Sequence, residues 1–210
     1  MIIGIEGPAA AGKTTMARTV ASEIGATVIE GGSWYRALTY TSQMEGIDPS
    51  DTERLVARAQ TLDLSLTPTP TGGTRVNLAG QDVTELLRTD KVSIAIGPIS
   101  QNLAVREVID PQIRAVVRAQ DVAILVGRHI KKLLPEAAVL HLTIDPEEAD
   151  RRHEGRAGEG AQSVQDRIAA DKITAQLLGA DGLSDTTVDV THITQSEQAD
   201  ILRAFIRSQS

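Results

Sequence analysis

The apolar run Ile2-Ile3-Gly4-Ile5 leads through Glu6 into Gly7-Pro8-Ala9-Ala10-Ala11-Gly12-Lys13-Thr14, and an amphipathic stretch from Thr15 to Ile24 follows. No other feature restricts the fold as strongly. The spacing G-x-x-x-x-G-K-[ST] between a strand and a helix is that of a phosphate-binding loop. Glycines and small alanines let backbone N–H groups close around phosphate oxygens, and the helix that follows points its positive end at them. In such a loop Lys13 reaches the β- and γ-phosphates and the Thr14 hydroxyl holds Mg²⁺. The candidate nucleotide-binding residues are therefore Gly7, Ala9, Ala10, Ala11, Gly12, Lys13, Thr14 and Thr15. A Gly/Ala-rich turn capped by threonine would show the same eight letters, but it would not need both flanking elements. The chain is expected to bind a nucleoside triphosphate, ATP with Mg²⁺.

The rest of the sequence continues the α/β rhythm that this start implies. Short apolar runs at 2–6, 27–30, 122–126, 139–144 and 187–190 alternate with helical patterns. They predict a three-layer α/β/α fold around a five-stranded parallel sheet. Between them, 48–119 has another texture. Leu62–Leu66 and Arg75–Leu78 alternate with period two across a Pro/Gly-rich link and predict a small hairpin. Asp82-Val83-Thr84-Glu85 reads as a helix start, and helical periodicity runs on to Ala119, broken at Gly97-Pro98 and Asp110-Pro111. A polar, Gly-rich segment from Glu154 to Gln162 precedes a helical pattern at Ser163–Leu178. The expected organisation is a kinase core of 1–32 and 119–210, with a lid near 152–162 and an acceptor-binding insertion at 33–118.

Composition narrows the partners. A net charge of −7 and a pI of 5.1 argue against a nucleic-acid polymer. Without cysteine there are no disulfides and no thiolate metal sites. No apolar run approaches membrane-spanning length, and Met1 reads as leading straight into a core strand, without room for a signal peptide. A cytoplasmic, monomeric enzyme is the expectation. Aromatics make up 2% of the residues, so the cluster Trp34, Tyr35 and Tyr40 stands out. Trp34 and Tyr35 form either a wall for a planar group or a local packing cluster.

What receives the phosphoryl group must be read from the C-terminal ends of the other strands, where ligands sit in such sheets. Three of these ends carry arginine: Arg36 after the second strand, Arg128 after the third, and Arg151-Arg152 in the helix after the fourth. Converging on one phosphate loop, they suit an anionic acceptor, because guanidinium groups grip phosphate bidentately.

Several stretches resemble the bacterial cytidylate kinases, within the P-loop nucleoside-monophosphate kinases. They include the phosphate loop, Tyr35-Arg36-Ala37-Leu38-Thr39, Asn77-Leu78-Ala79-Gly80-Gln81-Asp82-Val83-Thr84 and Leu87-Arg88-Thr89. Val105-Arg106-Glu107, Gly127-Arg128 and Asp145-Pro146-Glu147-Glu148 extend the likeness over most of the chain. The resemblance implies that Arg36 and Arg128 hold the acceptor's phosphate and that Arg106 lies near its base. It also shows departures. The family's Asp-Ser/Thr-Gly after the second strand is Glu30-Gly31-Gly32 here. The aspartate that reads the cytosine edge is His129, and the base-contacting serine is Gly97. A stretch with acceptor-binding arginines is the arginine-free Ala169–Ala175.

These readings combine into one site. Lys13, Arg128, Arg151 and Arg152 are the candidate catalytic residues, with Arg156 a further lid arginine. Tyr35, Arg36, Gly97, Arg106, Arg128 and His129 are the candidate acceptor contacts. Thr14 and Glu30 are candidates for holding or ordering Mg²⁺; Glu30 reads equally as a surface acid. His141 is read as structural and His153 as an exposed lid residue. Three classes remain open: a cytidylate-type kinase, a same-fold kinase retuned to a modified nucleotide or another hydroxyl- or phosphate-bearing metabolite, and a nucleotide-binding regulatory module. The retained acceptor arginines disfavour the last.

Overall fold

The computed structural model describes residues 1–69, 71–154, 176, 178, 179 and 182–209. Its main sheet holds β1 (Ile2–Glu6), β2 (Thr27–Glu30), β6 (Ala123–Val126), β7 (Ala138–Thr143) and β8 (Thr186–Asp189), all parallel, in the order β2-β6-β1-β7-β8. Both faces are covered, as near-continuous apolar strands require. On one face Ile3, Ile5, Ile124, Leu140 and Leu142 pack under α1 (Lys13–Ile24) and α8 (Gln195–Ser208). On the other, Ile29, Ala123, Leu125 and Val139 meet the helices of the insertion. The three-layer α/β/α architecture predicted from the strand spacing is the one found.

Helix ends follow their local chemistry. Helix α1 closes on Gly25, left-handed at φ 67°, whose N–H bonds to the Ala21 carbonyl. Helix α8 opens with a capping box between Thr194 and Glu197.

The insertion differs from its sequence reading in three respects. It contains α2 (Gly32–Met44), α3 (Thr52–Gln60), and a hairpin of β3 (Leu64–Pro68) and β4 (Thr74–Leu78). To that hairpin is added a third strand, β5 (Gln81–Asp82), where a helix start was expected. The reason lies in Asp82: its carboxylate accepts the Thr84 N–H and hydroxyl, at 3.0 and 2.6 Å, closing an Asx turn instead of capping a helix. Only one 3₁₀ turn, Leu86–Arg88, precedes α4 (Asp90–Gln101).

The two expected proline breaks are not breaks. Helix α4 runs through Pro98, and α5 (Leu103–Arg118) runs through Pro111. An internal proline costs a helix ~3 kcal/mol. In α5 that cost is offset by a fully buried stripe of Val105, Ile109, Ile113 and Val117. The real break is at Asn102, whose side chain caps α5 by accepting from the N–H groups of Ala104 and Val105.

Beyond β6 come the short α6 (Ile130–Leu133) and, after β7, α7 (Pro146–Glu154). The helix predicted over Ser163–Leu178, Arg156, residues 155–162 of the lid and Ala169–Ala175 lie outside the described residues, apart from isolated helical positions at 176 and 178. So does the side chain of His153. Among the described residues no helix is long and apolar enough to cross a membrane.

Candidate active site

The C-terminal ends of β1, β2 and β6 lie level with one another, since Ile5 pairs with Val126 and Val126 with Glu30. The loops that leave these strands therefore open onto one edge of the sheet. The phosphate loop leaves β1 through three left-handed positions, Gly7 (φ 135°), Ala10 (φ 63°) and Gly12 (φ 87°). A Cβ at Gly7 would overlap the Leu142 carbonyl oxygen, and one at Gly12 the Gln198 amide oxygen. The glycines of the motif are thus demanded by the neighbouring chain as well as by φ. Ala10, lacking that freedom, stores ~1–3 kcal/mol of backbone strain. Lys13 folds back over the loop, its Nζ donating to the carbonyls of Gly7 (2.7 Å) and Pro8 (2.5 Å).

A cavity of about 610 Å³ starts at Lys13 and Thr14 and continues to Arg36, Arg106, Arg128 and His129. Glu30, Tyr35 and Gly97 share its wall. Each arginine comes from a different element. Arg36 on α2 is oriented by donating from Nη1 to the Leu87 carbonyl (2.9 Å) and to Ser93 Oγ (3.0 Å). Arg128 leaves the end of β6.

Arg106 on α5 is 8% exposed. It donates to the Ser100 carbonyl, lies 3.4 Å from Asp110 Oδ2, and stacks 5.2 Å from the centre of the Tyr35 ring. Tyr35 in turn donates to Asp110 Oδ1 at 2.5 Å. Burial pushes the Tyr35 phenol far above its ordinary range; the Arg106 charge opposes this and Asp110 reinforces it. Tyr35 is therefore a neutral donor at physiological pH. The Arg106 Nε is buried without a hydrogen-bond partner among the described residues. Such donors are uncommon unless a ligand or water completes them.

The turn behind Arg128 is held from an unexpected side. His129 is left-handed at φ 55° and stands at the N-terminus of α6. The Ile130 and Lys131 N–H groups donate to Oε1 of Glu6, a carboxylate only 8% exposed at the end of β1. His141, on β7 beside Glu6, places Nδ1 3.7 Å from its other oxygen. Glu6 was visible as an acid at a strand end, yet nothing local in the sequence names its partners. Asp110, read only as a break, is the other group missed.

Some expected residues stand elsewhere. Trp34 is 2% exposed and belongs to the core, so it is no pocket wall. Gly7, Ala9, Ala10, Ala11 and Gly12 build the loop and Thr15 lies in the first turn of α1; none of them lines the cavity, and neither do Arg151 and Arg152. Arg151, largely exposed, pairs with Glu148. Arg152 donates to Glu148 at 2.7 Å and to the carbonyls of Val190 and Thr191 at 2.9 and 3.0 Å, which anchors it to the core. Arg152 first and Arg151 second hold the Glu148 carboxyl below its ordinary range.

Glu30 Oε1 accepts from Arg18 (3.1 Å) and Arg88 (3.2 Å). Among the described residues no three His, Cys, Asp or Glu side chains cluster as a metal cage. The Thr14 hydroxyl and the Glu30 carboxylate at the cavity wall fit Mg²⁺ of the kind that arrives on nucleotide phosphates and keeps several waters.

Comparisons with known proteins bear on the family and on the fold. A family model described as cytidylate kinase matches residues 3–204. The cytidylate kinase of Bacillus licheniformis is 32% identical over 213 residues, covering 95% of this chain and 93% of that protein. That of Geobacillus thermodenitrificans is 34% identical over 210 residues, covering 94% and 92%. Among solved structures, shikimate kinase from Bacteroides thetaiotaomicron superposes with a TM-score of 0.51 at 13% identity, covering 99% of this chain and 98% of its own. TT1252 from Thermus thermophilus gives 0.54 at 15% identity, covering 100% and 98%. These structural likenesses speak for the fold alone.

Proposed function

The chain belongs to the cytidylate kinase family and is a phosphotransferase, and on that premise we propose that it moves the γ-phosphoryl group of ATP to a phosphate oxygen of a small, nucleoside-monophosphate-like acceptor. The observation that carries this reading is a single cavity running from Lys13 and Thr14 to Arg36 and Arg128. A donor grip and an acceptor grip within one cavity suit an in-line transfer.

The chemistry asks for position and charge more than for covalent help. The loop N–H groups and Lys13 hold the donor's phosphates. Thr14, with Glu30 on the same wall, would hold Mg²⁺, which would supply neutralising charge to the donor's phosphates. Arg36 and Arg128 hold the acceptor's phosphate against the transferring group. An acceptor phosphate oxygen is already ionised near pH 7, so no general base is needed, and His129 acts as a wall of the pocket. A lid arginine closing over the transferring group remains part of the reading. In this conformation Arg152 is committed to Glu148 and the strand end beside it.

The acceptor is where this chain departs from its family's resemblance. His129 stands in place of a base-reading aspartate, and Gly97 in place of a serine. Both line the cavity beside Arg106. An imidazole has no carboxylate oxygens, so it does not offer the cytosine amino group the acceptor-only anion that an aspartate does. We therefore read the acceptor as a modified or different nucleoside monophosphate. The same exchanges favour, as a second reading, a phosphorylated metabolite without a base. ADP release with Mg·ATP, measured across a panel of nucleoside monophosphates and small phosphate or hydroxyl compounds, separates the two. Absence of turnover with every phosphate-bearing acceptor would contradict both.

A further inference from the structure

The stretches that carry the family resemblance beyond the phosphate loop, Asn77–Thr84 and Leu87-Arg88-Thr89, do not line the cavity described above. They border a second one. A cavity of about 530 Å³ lies between α1, the β3–β4 hairpin and the segment leading into the 3₁₀ turn. Its wall contains three guanidinium groups, Arg18, Arg75 and Arg88, against two carboxylates, Asp82 and Glu85. Asp82 Oδ2 lies 3.7 Å from Arg75 Nε, while its Oδ1 is taken up by the Asx turn to Thr84. Arg18 is pressed under the hairpin, so that a Cβ on Gly73 would come 3.2 Å from its Nε. That Nε is buried with no hydrogen-bond partner among the described residues.

We propose that this second cavity is an anion site for a phosphate group, free or carried on a nucleotide, and that it is coupled to the first cavity through Glu30. A volume of this order is that of small-molecule pockets. Three guanidinium groups on one wall, one with an unsatisfied buried donor, suit an anion with several acceptor oxygens that can displace Glu30 from Arg18 and Arg88. The coupling follows from one shared atom. Glu30 Oε1 accepts from both Arg18 and Arg88, and Glu30 also lines the first cavity beside Lys13 and Thr14. Phosphate in the second cavity competes with Glu30 for both arginines, so occupancy there loosens the carboxylate on the phosphate-loop side. Binding rests on the second cavity alone; a consequence for turnover rests also on the function proposed for the first.

The test is a titration of the full chain with inorganic phosphate, followed by backbone amide NMR shifts. The amides of Gly73, Arg75 and Thr84 should saturate on a curve of their own, distinct from that of Gly7–Thr14, and Glu30 should follow the hairpin set. Arg75→Glu, at an exposed position outside the proposed transfer site, should raise the phosphate needed at the hairpin at least about tenfold while leaving the loop curve unchanged. Arg88→Ala, as an independent variant, should weaken the hairpin set alike. A second arm with adenosine monophosphate distinguishes the source: saturation at lower concentration than phosphate assigns a nucleotide, the reverse free phosphate. Shifts confined to Gly7–Thr14, or hairpin shifts indifferent to both variants, overturn the site. A Glu30 amide that ignores the hairpin set overturns the coupling. Loss of the loop response alone would count against the proposed function and leave this site standing.

Discussion

The Glu6 carboxylate accepts the backbone N–H of Ile130, 124 residues further along the chain, and so ties the end of the phosphate-loop strand to the turn that carries Arg128 and His129. The phosphate loop and the Arg128 turn are thereby fixed to each other through one buried side chain. Removing it should be felt at both levels. Glu6→Ala is predicted to destabilise the fold by about 1–3 kcal/mol, because two N–H groups lose their acceptor. It should also reduce kcat/KM for the acceptor more than it changes the KM for ATP. Glu6→Gln, which keeps an oxygen in place, should recover part of the stability. Thermal melts and steady-state kinetics of the two variants check this; an unshifted melt for Glu6→Ala would contradict it.

Lys13→Ala should abolish transfer and leave the fold intact. The loop's left-handed positions fall at Gly7, Ala10 and Gly12 and not at Lys13, so the backbone closes without the lysine. Charge-stabilising groups in such sites contribute factors of roughly 10²–10³. Turnover within about tenfold of wild type, with unchanged circular dichroism, would remove Lys13 from the mechanism.

Arg128→Ala should damage use of the acceptor far more than binding of ATP. A charge-assisted hydrogen bond is worth ~1.5–3 kcal/mol, hence at least about tenfold in acceptor kcat/KM. Isothermal titration with ATP beside acceptor kinetics makes the comparison. Equal losses on both sides would put this arginine on the donor's phosphates.

Acid sensitivity has a local contributor in Asp185, just before β8. Its Oδ2 accepts from Lys131 Nζ and from the Val139 N–H, both at 2.8 Å. The Lys131 hydrogen bond foremost, with that of Val139, holds its carboxyl below the ordinary value of 3.8 against the effect of burial. The depressed value means that the folded state favours the ionised form. The stabilisation is full above pH ~3.8 and is lost as pH falls through the lower folded value. The stability gap between wild type and Lys131→Met should therefore shrink below pH ~3.8. The gap is at most about 1 kcal/mol, since the pair is partly exposed and screened. The bond from Lys131 to the Ala137 carbonyl leaves a pH-independent remainder. Melts from pH 6 to pH 3 measure the gap; one that widens toward acid would contradict the assignment.

How much was legible in the sequence follows from how local each signal is. The phosphate loop and the five strands rest on residues a few positions apart, and those readings agree with the fold. Asp82 was misread because its carboxylate serves a turn and a helix start equally well; only pairing with β4 decides. Pro98 and Pro111 read as breaks because the burial that offsets them comes from elements distant in sequence. Trp34 and Arg152 could not be assigned from their neighbours either. One faces the core beneath α2, and the other reaches carbonyls nearly forty positions away. Arg36, Arg106, Arg128, His129 and Gly97 were foreseen as a group, and one cavity holds them all.

The most direct test of the account is kcat/KM for cytidine monophosphate, in the wild type and in a His129→Asp, Gly97→Ser double variant. Both substitutions suit their positions. Aspartate tolerates the left-handed conformation at 129, and a Cβ at Gly97 meets nothing within 4 Å. A site that hydrogen-bonds its substrate's polar edge can discriminate by ~10⁴–10⁵, and each missing contact costs about 1–3 kcal/mol. The account predicts poor use of cytidine monophosphate by the wild type, below another phosphate-bearing acceptor, and a gain of at least about tenfold in the double variant. Turnover by the wild type near 10⁵ M⁻¹s⁻¹ or above, within the range of ordinary enzymes, would contradict it and leave cytidine monophosphate as the acceptor.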